Sequence, residues 1–342
     1  MINGLTLENF RNFTGRGLSF TERTVITGNN GAGKSTVLEA IRILSVGKSF
    51  RTSRTEEVIR FDNQYCRLIA QIQTNQELEM FYGSQFESVA QKERRLTYQG
   101  NIVSWTEFLG VFPTVLFTPN DLEVVLGGPD VRRKYLDSVL WQVSAEYRRS
   151  QLEFWQVLRE RSALLFMVKI NRASPDELQP WNELLVKLTD SIRAARLSYV
   201  DYLNGWLEAS SQLPVATLRV KYQSDKKLIA EFMPQEIKTA QNLFGAHRDE
   251  LVINYDDFSA RRFASRGQSR LTVAHLKAAE ADYLREKTGN PVTVLLDDAM
   301  SELDSKNTLR LLELFSDEHQ LILTSAETLK LPEAWSITRL SR

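Results

Sequence analysis

Residues 28–35 read Gly28-Asn29-Asn30-Gly31-Ala32-Gly33-Lys34-Ser35, which matches the pattern G-x-x-x-x-G-K-[ST] in full. A short β-prone run at 24–27 precedes this segment, and an amphipathic helix is predicted from Lys34 to about Leu44, closed by Gly47. Glycines in such a loop let backbone N–H groups approach phosphate oxygens, and the following helix directs its positive dipole end at the same anion. The segment therefore predicts a site for the phosphates of ATP.

The residues of this loop have distinct expected roles. Lys34 supplies a cation to the β- and γ-phosphates, and the hydroxyl of Ser35 is a ligand for Mg²⁺. A glycine turn that merely caps a helix is the alternative, and the full match between a strand and a helix disfavours it. The residues expected to contact ATP through this loop are Gly28, Asn29, Asn30, Gly31, Ala32, Gly33, Lys34, Ser35 and Thr36.

A second motif supplies the carboxylates that such a loop needs. The apolar run 292–296 predicts a buried strand, and Asp297-Asp298 follows it directly. Asp297 is expected to organise the magnesium ion and its waters. Asp298 is expected to orient or deprotonate the attacking water. A strand that simply ends in a polar turn is the alternative interpretation.

A third motif, Ser265-Arg266-Gly267-Gln268, stands immediately before a helix predicted at 269–287. A hydroxyl, a glycine and an amide at a helix start are typical of an anion site, because free N–H groups point outward there. An ordinary N-terminal cap is the competing interpretation. The segment Ser301-Glu302-Leu303-Asp304 follows the acidic pair.

Periodicity along the chain predicts an α/β fold with a helical insertion. Alternating strands dominate the first 100 or so residues, long helices are predicted from about 129 to 210, and strands return after 213. The closing strand–helix–strand order predicts a parallel sheet layered with helices. The predicted division is an N-terminal ATPase part at 1–112, a helical lid or arm at 113–213, and a C-terminal ATPase part at 214–342.

Composition sets limits on the class of protein. The 342 residues contain 43 Lys and Arg and 43 Asp and Glu, so any DNA-binding surface must be a local patch. The single Cys66 allows no internal disulfide. No signal peptide is recognisable at the N-terminus, and no apolar run approaches the roughly 20 residues that cross a bilayer. A cytoplasmic location is expected.

The order of the motifs resembles that of the ABC-type ATPases and their SMC-like branch, and the chain is similar nearly end to end to the RecF family of bacterial DNA repair proteins. The segments that carry this resemblance beyond the motifs above are 7–13, 47–52, 117–122, 128–129, 132–137, 245–251, 264–268 and 295–304. The resemblance implies a P-loop ABC-type ATPase core, a mixed sheet with flanking helices, interrupted by a helical subdomain.

The resemblance also implies a mechanism. ATP would drive formation of a homodimer with two nucleotides between the subunits, and Ser265, Gly267 and Gln268 of one subunit would face the γ-phosphate held by its partner. These three residues would act in catalysis with Lys34 and Asp298. Arg11 and Asn12 would contact the nucleotide.

The biological role implied is DNA repair and replication, including the SOS response to DNA damage. Members of the family bind double-stranded DNA and single-strand/double-strand junctions, hydrolyse ATP weakly with stimulation by DNA, and assist RecR and RecO in loading RecA. The chain departs from the wider ABC pattern in three places. Asp298 stands where most relatives have Glu, Thr324-Ser325 replaces the usual His after a strand, and Asn120-Asp121 occupies the region of the Q-loop glutamine.

Basic side chains are the candidates for contact with DNA phosphates, although charge on a long helix is more often a solvated face. They are Lys48, Arg51, Arg54, Arg148, Arg149, Arg159, Arg161, Lys169 and Arg172. His247 lies before a predicted strand with no nucleophile in evidence, so a structural or nucleotide-adjacent role is expected. Two alternatives stay open: a P-loop kinase of small molecules, and an ABC-type ATPase that acts on a protein or membrane partner without DNA.

Overall fold

The computed structural model describes residues 1–83, 93–210, 218–256, 258–299, 305–326 and 334–340. The segment Ser301-Glu302-Leu303-Asp304 therefore lies outside the described residues. The chain forms two compact units, one of Met1–Asp121 with Ala274–Arg342 and the other of Leu122–Val273. This grouping places residues 218–273 with the helices, whereas the predicted division at 113 and 213 assigned them to the ATPase core. The functional names given to those parts stay a prediction.

The strands of the described ranges are β1 (Ile2–Phe10), β2 (Phe13–Ser19), β3 (Arg23–Thr27), β4 (Tyr65–Ile72), β5 (Gln76–Gly83), β6 (Glu93–Tyr98), β7 (Asn101–Ile102), β8 (Thr114–Phe117), β9 (Leu218–Gln223), β10 (Glu250–Tyr255), β11 (Phe258–Ser259), β12 (Thr293–Asp297), β13 (Gln320–Ser325) and β14 (Ser336–Arg339). The α-helices are α1 (Lys34–Val46), α2 (Trp105–Phe108), α3 (Glu123–Leu126), α4 (Pro129–Val143), α5 (Ala145–Lys169), α6 (Gln179–Ala209), α7 (Ile229–Thr239), α8 (Ala260–Phe263), α9 (Arg266–Thr288) and α10 (Ser305–Glu313).

A parallel sheet of five strands in the order β14-β3-β13-β12-β8 carries the loop 28–33 and the acidic pair. Its central strands β12 and β13 are buried along their whole length, which explains their continuous apolar sequence. Strands β3 and β12 flank β13, so their carboxyl ends lie at one edge of the sheet. The predicted parallel sheet is confirmed, and it brings the P-loop and Asp297 to the same edge.

Helix α1 follows the P-loop and is buried on all sides from Thr36 to Ser45. It packs in one apolar core with strands of the parallel sheet and with an antiparallel sheet in the order β2-β1-β4-β5-β6-β7. Gly47 ends the helix in the left-handed conformation, with φ of 62°, and its N–H donates to the carbonyl of Ile43 at 2.7 Å. The predicted helix and its glycine cap are confirmed, but its predicted amphipathic character was wrong, because no residue from 36 to 45 is exposed.

The second unit is built on the long helices α5 and α6. The hydroxyls of Ser150 and Ser191 are 3.3 Å apart, and Nε of Arg161 donates to Oδ1 of Asn182 at 2.8 Å. A later residue of α5 thus contacts an earlier residue of α6, so the two helices are antiparallel. The buried face of α6 is an apolar stripe that includes Leu185 and Tyr199. A small sheet in the order β11-β10-β9 completes the unit. Among the described residues, none of the helices combines the length and apolarity that a membrane crossing requires.

One predicted boundary was wrong. Helix α9 begins at Arg266, three residues before the predicted start. Gly267 and Gln268 therefore belong to the first helical turn and do not precede it. The low helix propensity of Gly267 favoured a later start in the sequence-based prediction. In the structure the Ser265 cap described below stabilises this end of the helix.

Candidate nucleotide site

The P-loop backbone has the conformation that its glycines predict. Gly31 and Gly33 have φ of 82° and 98°, a region that side chains rarely allow. A Cβ on Gly33 would lie 2.6 Å from the ring of Phe13 and 2.8 Å from Nδ2 of Asn12. Glycine is therefore required at position 33 on two grounds. The same closeness places Asn12, a predicted nucleotide contact, beside the loop.

A cleft of about 1010 Å³ opens over this loop, at the upper end of the range for small-molecule sites of ~300–1,000 Å³. Most of the residues predicted to contact nucleotide or water line it, namely Arg11, Asn12, Asn30, Gly31, Gly33, Lys34, Ser35, Thr36 and Asp298. Gly28 and Asn29 do not line it, but their carbonyls accept hydrogen bonds from Nζ of Lys34 at 2.7 and 3.2 Å. Ala32 is buried beneath the loop. Direct contact of these residues with ATP stays a prediction.

The P-loop hydroxyl and the strand-end carboxylate meet at the base of this cleft. Oγ of Ser35 donates to Oδ1 of Asp297 at 2.8 Å. Asp297 is nearly buried at the end of β12, whereas Ser35 lines the cleft. Hydroxyl and carboxylate oxygens are the hard ligands that Mg²⁺ prefers together with phosphate oxygens. These two residues fit a magnesium ion, which would neutralise phosphate charge when bound.

Thr324, at the end of β13, connects both acids and was not recognised as a site residue from the sequence. Its Oγ1 donates to Oδ1 of Asp297 at 2.8 Å and accepts the N–H of Asp298 at 3.0 Å. The expected γ-phosphate-sensing His is replaced here by a residue that lines the same cleft. Parallel pairing of β13 with β12 sets Thr324 opposite Asp297. Thr324 therefore orients the carboxylate of Asp297, the predicted metal ligand.

We expect Thr324→Val to weaken Mg²⁺-dependent ATP binding about 10- to 100-fold, the usual cost of losing a partner of a metal ligand. Val has the same shape but cannot donate to Asp297. Titration of Mg²⁺ against the ATP-loaded protein measures the effect, and Thr324→Ser, which keeps the hydroxyl, is the matched control. Equal Mg²⁺ dependence of the Val and Ser variants would show that the hydroxyl does not orient Asp297.

Asp298 has the position expected of a residue that acts on water. It is exposed, lines the cleft and has φ of 51°. Asp and Asn tolerate this left-handed conformation better than most residues, whereas a longer side chain gains no local stabilisation there. The backbone of this turn therefore favours Asp at the position where most ABC-type relatives have Glu.

A buried carboxylate, Glu39 of α1, joins two segments that carry the sequence resemblance. Arg11 donates to both of its oxygens, at 2.6 and 3.1 Å, and the hydroxyl of Ser49 donates at 2.5 Å. Arg51 completes the group at 3.4 Å. The guanidinium of Arg11 is thus held as an ion pair at the wall of the cleft. Its predicted contact with nucleotide would use the face that this pairing leaves open.

The segment Ser265-Arg266-Gly267-Gln268 forms a capping box. The hydroxyl of Ser265 accepts the N–H of Gln268 at 3.2 Å, and Oε1 of Gln268 accepts the N–H of Ser265 at 2.8 Å. Ser265 and Gly267 are exposed. A Cβ on Gly267 would meet nothing within 4 Å. Within one subunit this segment is an ordinary helix cap, and none of the described residues nearby requires glycine.

Two of the basic candidates for DNA contact were wrong. Arg161 is fully buried, with its guanidinium 2.6 Å from Glu236, and Arg148 is buried against the carbonyl of Trp141 at 2.5 Å. Burial of charged groups requires such partners, so these arginines brace the second unit. The candidates that stay exposed or half-exposed are Lys48, Arg51, Arg54, Arg149, Arg159, Lys169 and Arg172.

The fold and the site together define a P-loop ATPase core of the ABC type. The model of the RecF/RecN/SMC N-terminal domain family matches residues 1–342. A protein of Moorella thermoacetica named DNA replication and repair protein RecF is 32% identical over 321 residues, which cover 90% of this chain and 85% of the relative. Its namesake from Streptococcus equi subsp. zooepidemicus is 31% identical and covers 100% of this chain and 96% of the relative. The chain belongs to the RecF family.

Solved structures agree with this assignment. A structure described as the recombination mediator protein RecF-ATPrS in the RecFOR pathway has a TM-score of 0.86 with 28% identity, and it covers 96% of this chain and 93% of its own. An Smc head bound to the C-terminal winged-helix domain of ScpA has a TM-score of 0.54 at 16% identity. The second likeness establishes the shared head fold alone.

Proposed function

We propose that this protein is an ATP-dependent DNA-binding protein of recombinational repair and replication, in which ATP acts as a signal for assembly. The observation that carries the proposal is the contact of Ser35 with Asp297 at 2.8 Å below a complete P-loop. It joins the phosphate side and the metal side of an ATP site. The relatives described as RecF-ATP and RecF-ATPrS support ATP as the nucleotide. Mg²⁺ is proposed as its companion ion because Ser35 and Asp297 offer the oxygen ligands that this ion prefers.

The signature segment supports an ATP-dependent homodimer. Gly267 is exposed in the first turn of α9, has open space around it and costs helix stability relative to other residues. No described residue of the same subunit requires glycine there, which supports a requirement that comes from a partner. A phosphate held by a partner's P-loop would approach this helix end closely, and the N–H groups of the turn would serve it. Ser265 and Gln268 would exchange their mutual capping bonds for that phosphate.

The DNA-directed part of the proposal rests on the family. Double-stranded DNA and single-strand/double-strand junctions are the proposed partners, with RecR, RecO and RecA as proteins of the same process, including the SOS response. The relatives' name, DNA replication and repair protein, supports this role. Hydrolysis is proposed to be weak, since Asp298 is a short carboxylate in place of Glu. Its stimulation by DNA is proposed from the family alone. A cytoplasmic location follows from the same proposal.

Sedimentation with ATP, with and without a gapped duplex, tests this function. We expect the wild type to form a dimer that is retained on DNA, with affinity that falls as salt rises because phosphate contacts release counterions. We expect Gly267→Leu to weaken the ATP dimer by about 1–3 kcal/mol through overpacking at the interface. Leu also raises helix propensity, so the monomer should be at least as stable as the wild type.

The outcomes separate the alternatives. A wild-type dimer that shows no retention on duplex or gapped DNA at moderate salt would favour the ABC-type ATPase with a protein or membrane partner. A Gly267→Leu protein that dimerises normally would exclude the composite site. Phosphoryl transfer to a small acceptor by the monomer would favour the P-loop kinase.

A further inference from the structure

A second cleft, about 450 Å³ in volume, lies within the unit Leu122–Val273. Helices α4, α5 and α6 and the segment 245–248 line it. Its walls combine aromatic rings with cations, which is the composition of sites for single-stranded nucleic acid. None of the ATP-site residues described above belongs to it.

The aromatic wall consists of Phe154, Trp155 and His247. The ring of Phe154 lies 5.7 Å from Trp155 and 5.8 Å from His247, centre to centre, and Trp155 lies 6.4 Å from His247. Phe154 is buried, yet Trp155 keeps 54% of its surface exposed. Burial lowers the pKa of His247 to about 4, so its ring is neutral at physiological pH. The wall thus presents one rigidly backed indole to an incoming ring.

The cationic side of the cleft is only partly neutralised. Arg133 pairs with Asp130, and Arg196 pairs with Asp137 at 2.7 Å. The side-chain ammonium of Lys134 has no hydrogen-bond or ion-pair partner among the described residues. Arg248 has no carboxylate partner among the same residues, and both of its donating nitrogens bind the carbonyl of Asn242.

The net positive charge of the cleft therefore comes from Lys134 and Arg248. An exposed indole beside two unneutralised cations favours a ligand with both a flat ring and an anionic group. A nucleotide has both, whereas an acidic peptide would use the cations but leave the indole exposed.

We propose that this cleft binds one unpaired nucleotide of a DNA strand, with its base stacked on Trp155 and its phosphate facing Lys134 and Arg248. Inside a duplex each base is stacked on both faces by its neighbours, so the cleft would distinguish single-stranded DNA from duplex. This inference deepens the proposed DNA binding and rests on it. In this proposal the ring of His247 helps to position Phe154 and Trp155 for stacking.

The test uses the full chain and a short single-stranded oligonucleotide that carries 2-aminopurine, whose fluorescence falls on stacking. We expect quenching by the wild type and about tenfold or more weaker binding by Trp155→Ala, the scale of one lost base–aromatic stack. Trp155→Phe should recover most of the binding. Phe166→Ala is the matched control, since Phe166 is also 54% exposed on α5 and lies outside the cleft. Lys134→Gln should lower both affinity and its salt dependence, with Lys187→Gln on α6 as control.

An oligonucleotide with an abasic site at the probe position should bind as weakly as the intact one binds to Trp155→Ala. Equal binding of both oligonucleotides by the wild type would overturn the stacking role, as would displacement by an acidic peptide but not by an unlabelled strand. Free dAMP that binds more tightly than the strand would overturn the assignment to DNA. The two proposals can fail separately. If the protein shows no ATP-dependent retention on duplex but still binds the single strand through Trp155, the proposed function fails and the assignment of this cleft stands.

Discussion

Lys34→Met is expected to abolish ATP binding at ordinary nucleotide concentrations. Nζ of Lys34 now donates to the carbonyls of Gly28 and Asn29 at 2.7 and 3.2 Å, so the cation is already positioned over the loop. Removal of a charged partner from a phosphate costs about 2–5 kcal/mol, which is roughly a 30- to 5,000-fold loss of affinity. Calorimetric titration with ATP and Mg²⁺ measures it.

Loss of binding must be separated from loss of folding. Lys34 forms no ion pair with any described residue, and Met is an unbranched side chain of similar length, so the melting temperature without nucleotide should change little. ATP should raise the melting temperature of the wild type by mass action and leave that of Lys34→Met unchanged. Lys187→Met, on an exposed face of α6, is the matched control. ATP affinity within a few-fold of the wild type in Lys34→Met would contradict the assignment of the cleft.

The parts of this site that the sequence predicted are those encoded by short, continuous segments. The P-loop, its helix and the strand before Asp297 each follow from local periodicity and from glycine chemistry. The closing strand–helix–strand order then predicted a parallel sheet, and the observed order β3-β13-β12 brings Asp297 near Ser35. Local rules succeed here because the P-loop and its helix are continuous in the chain.

The features that the sequence did not predict depend on distant residues. Thr324 reads as an ordinary strand residue until parallel pairing sets it opposite Asp297. In the sequence Glu39 looks like a polar residue on an amphipathic helix. In the structure it binds Arg11, which precedes the helix in sequence, and Ser49, which follows it. Arg161 looked like a surface charge because its partner, Glu236, is 75 residues away in sequence. No periodicity reveals such pairs.

Asp298→Asn is expected to leave a dimer that binds ATP and hydrolyses it about 10²–10⁴-fold more slowly, the usual contribution of a general base. Asn has the shape of Asp and tolerates φ of 51°, so the turn should survive. The N–H of residue 298 would still donate to Thr324, which keeps Asp297 in place. Binding and assembly should therefore persist while turnover stops.

The measurement is single-turnover hydrolysis alongside sedimentation at saturating ATP, and Asp297→Asn is the contrasting variant. That neighbour accepts the Ser35 hydroxyl at 2.8 Å, so its loss should weaken the binding of Mg²⁺ and ATP themselves. Asp297→Asn should thus impair nucleotide binding and assembly, whereas Asp298→Asn should impair turnover alone. A monomeric Asp298→Asn protein at saturating ATP would contradict the composite site, because the P-loop and the signature segment are unchanged in it. A dimer that outlasts the wild-type dimer after ATP is removed would place hydrolysis at the step that ends assembly, since only the carboxylate that activates water has been lost.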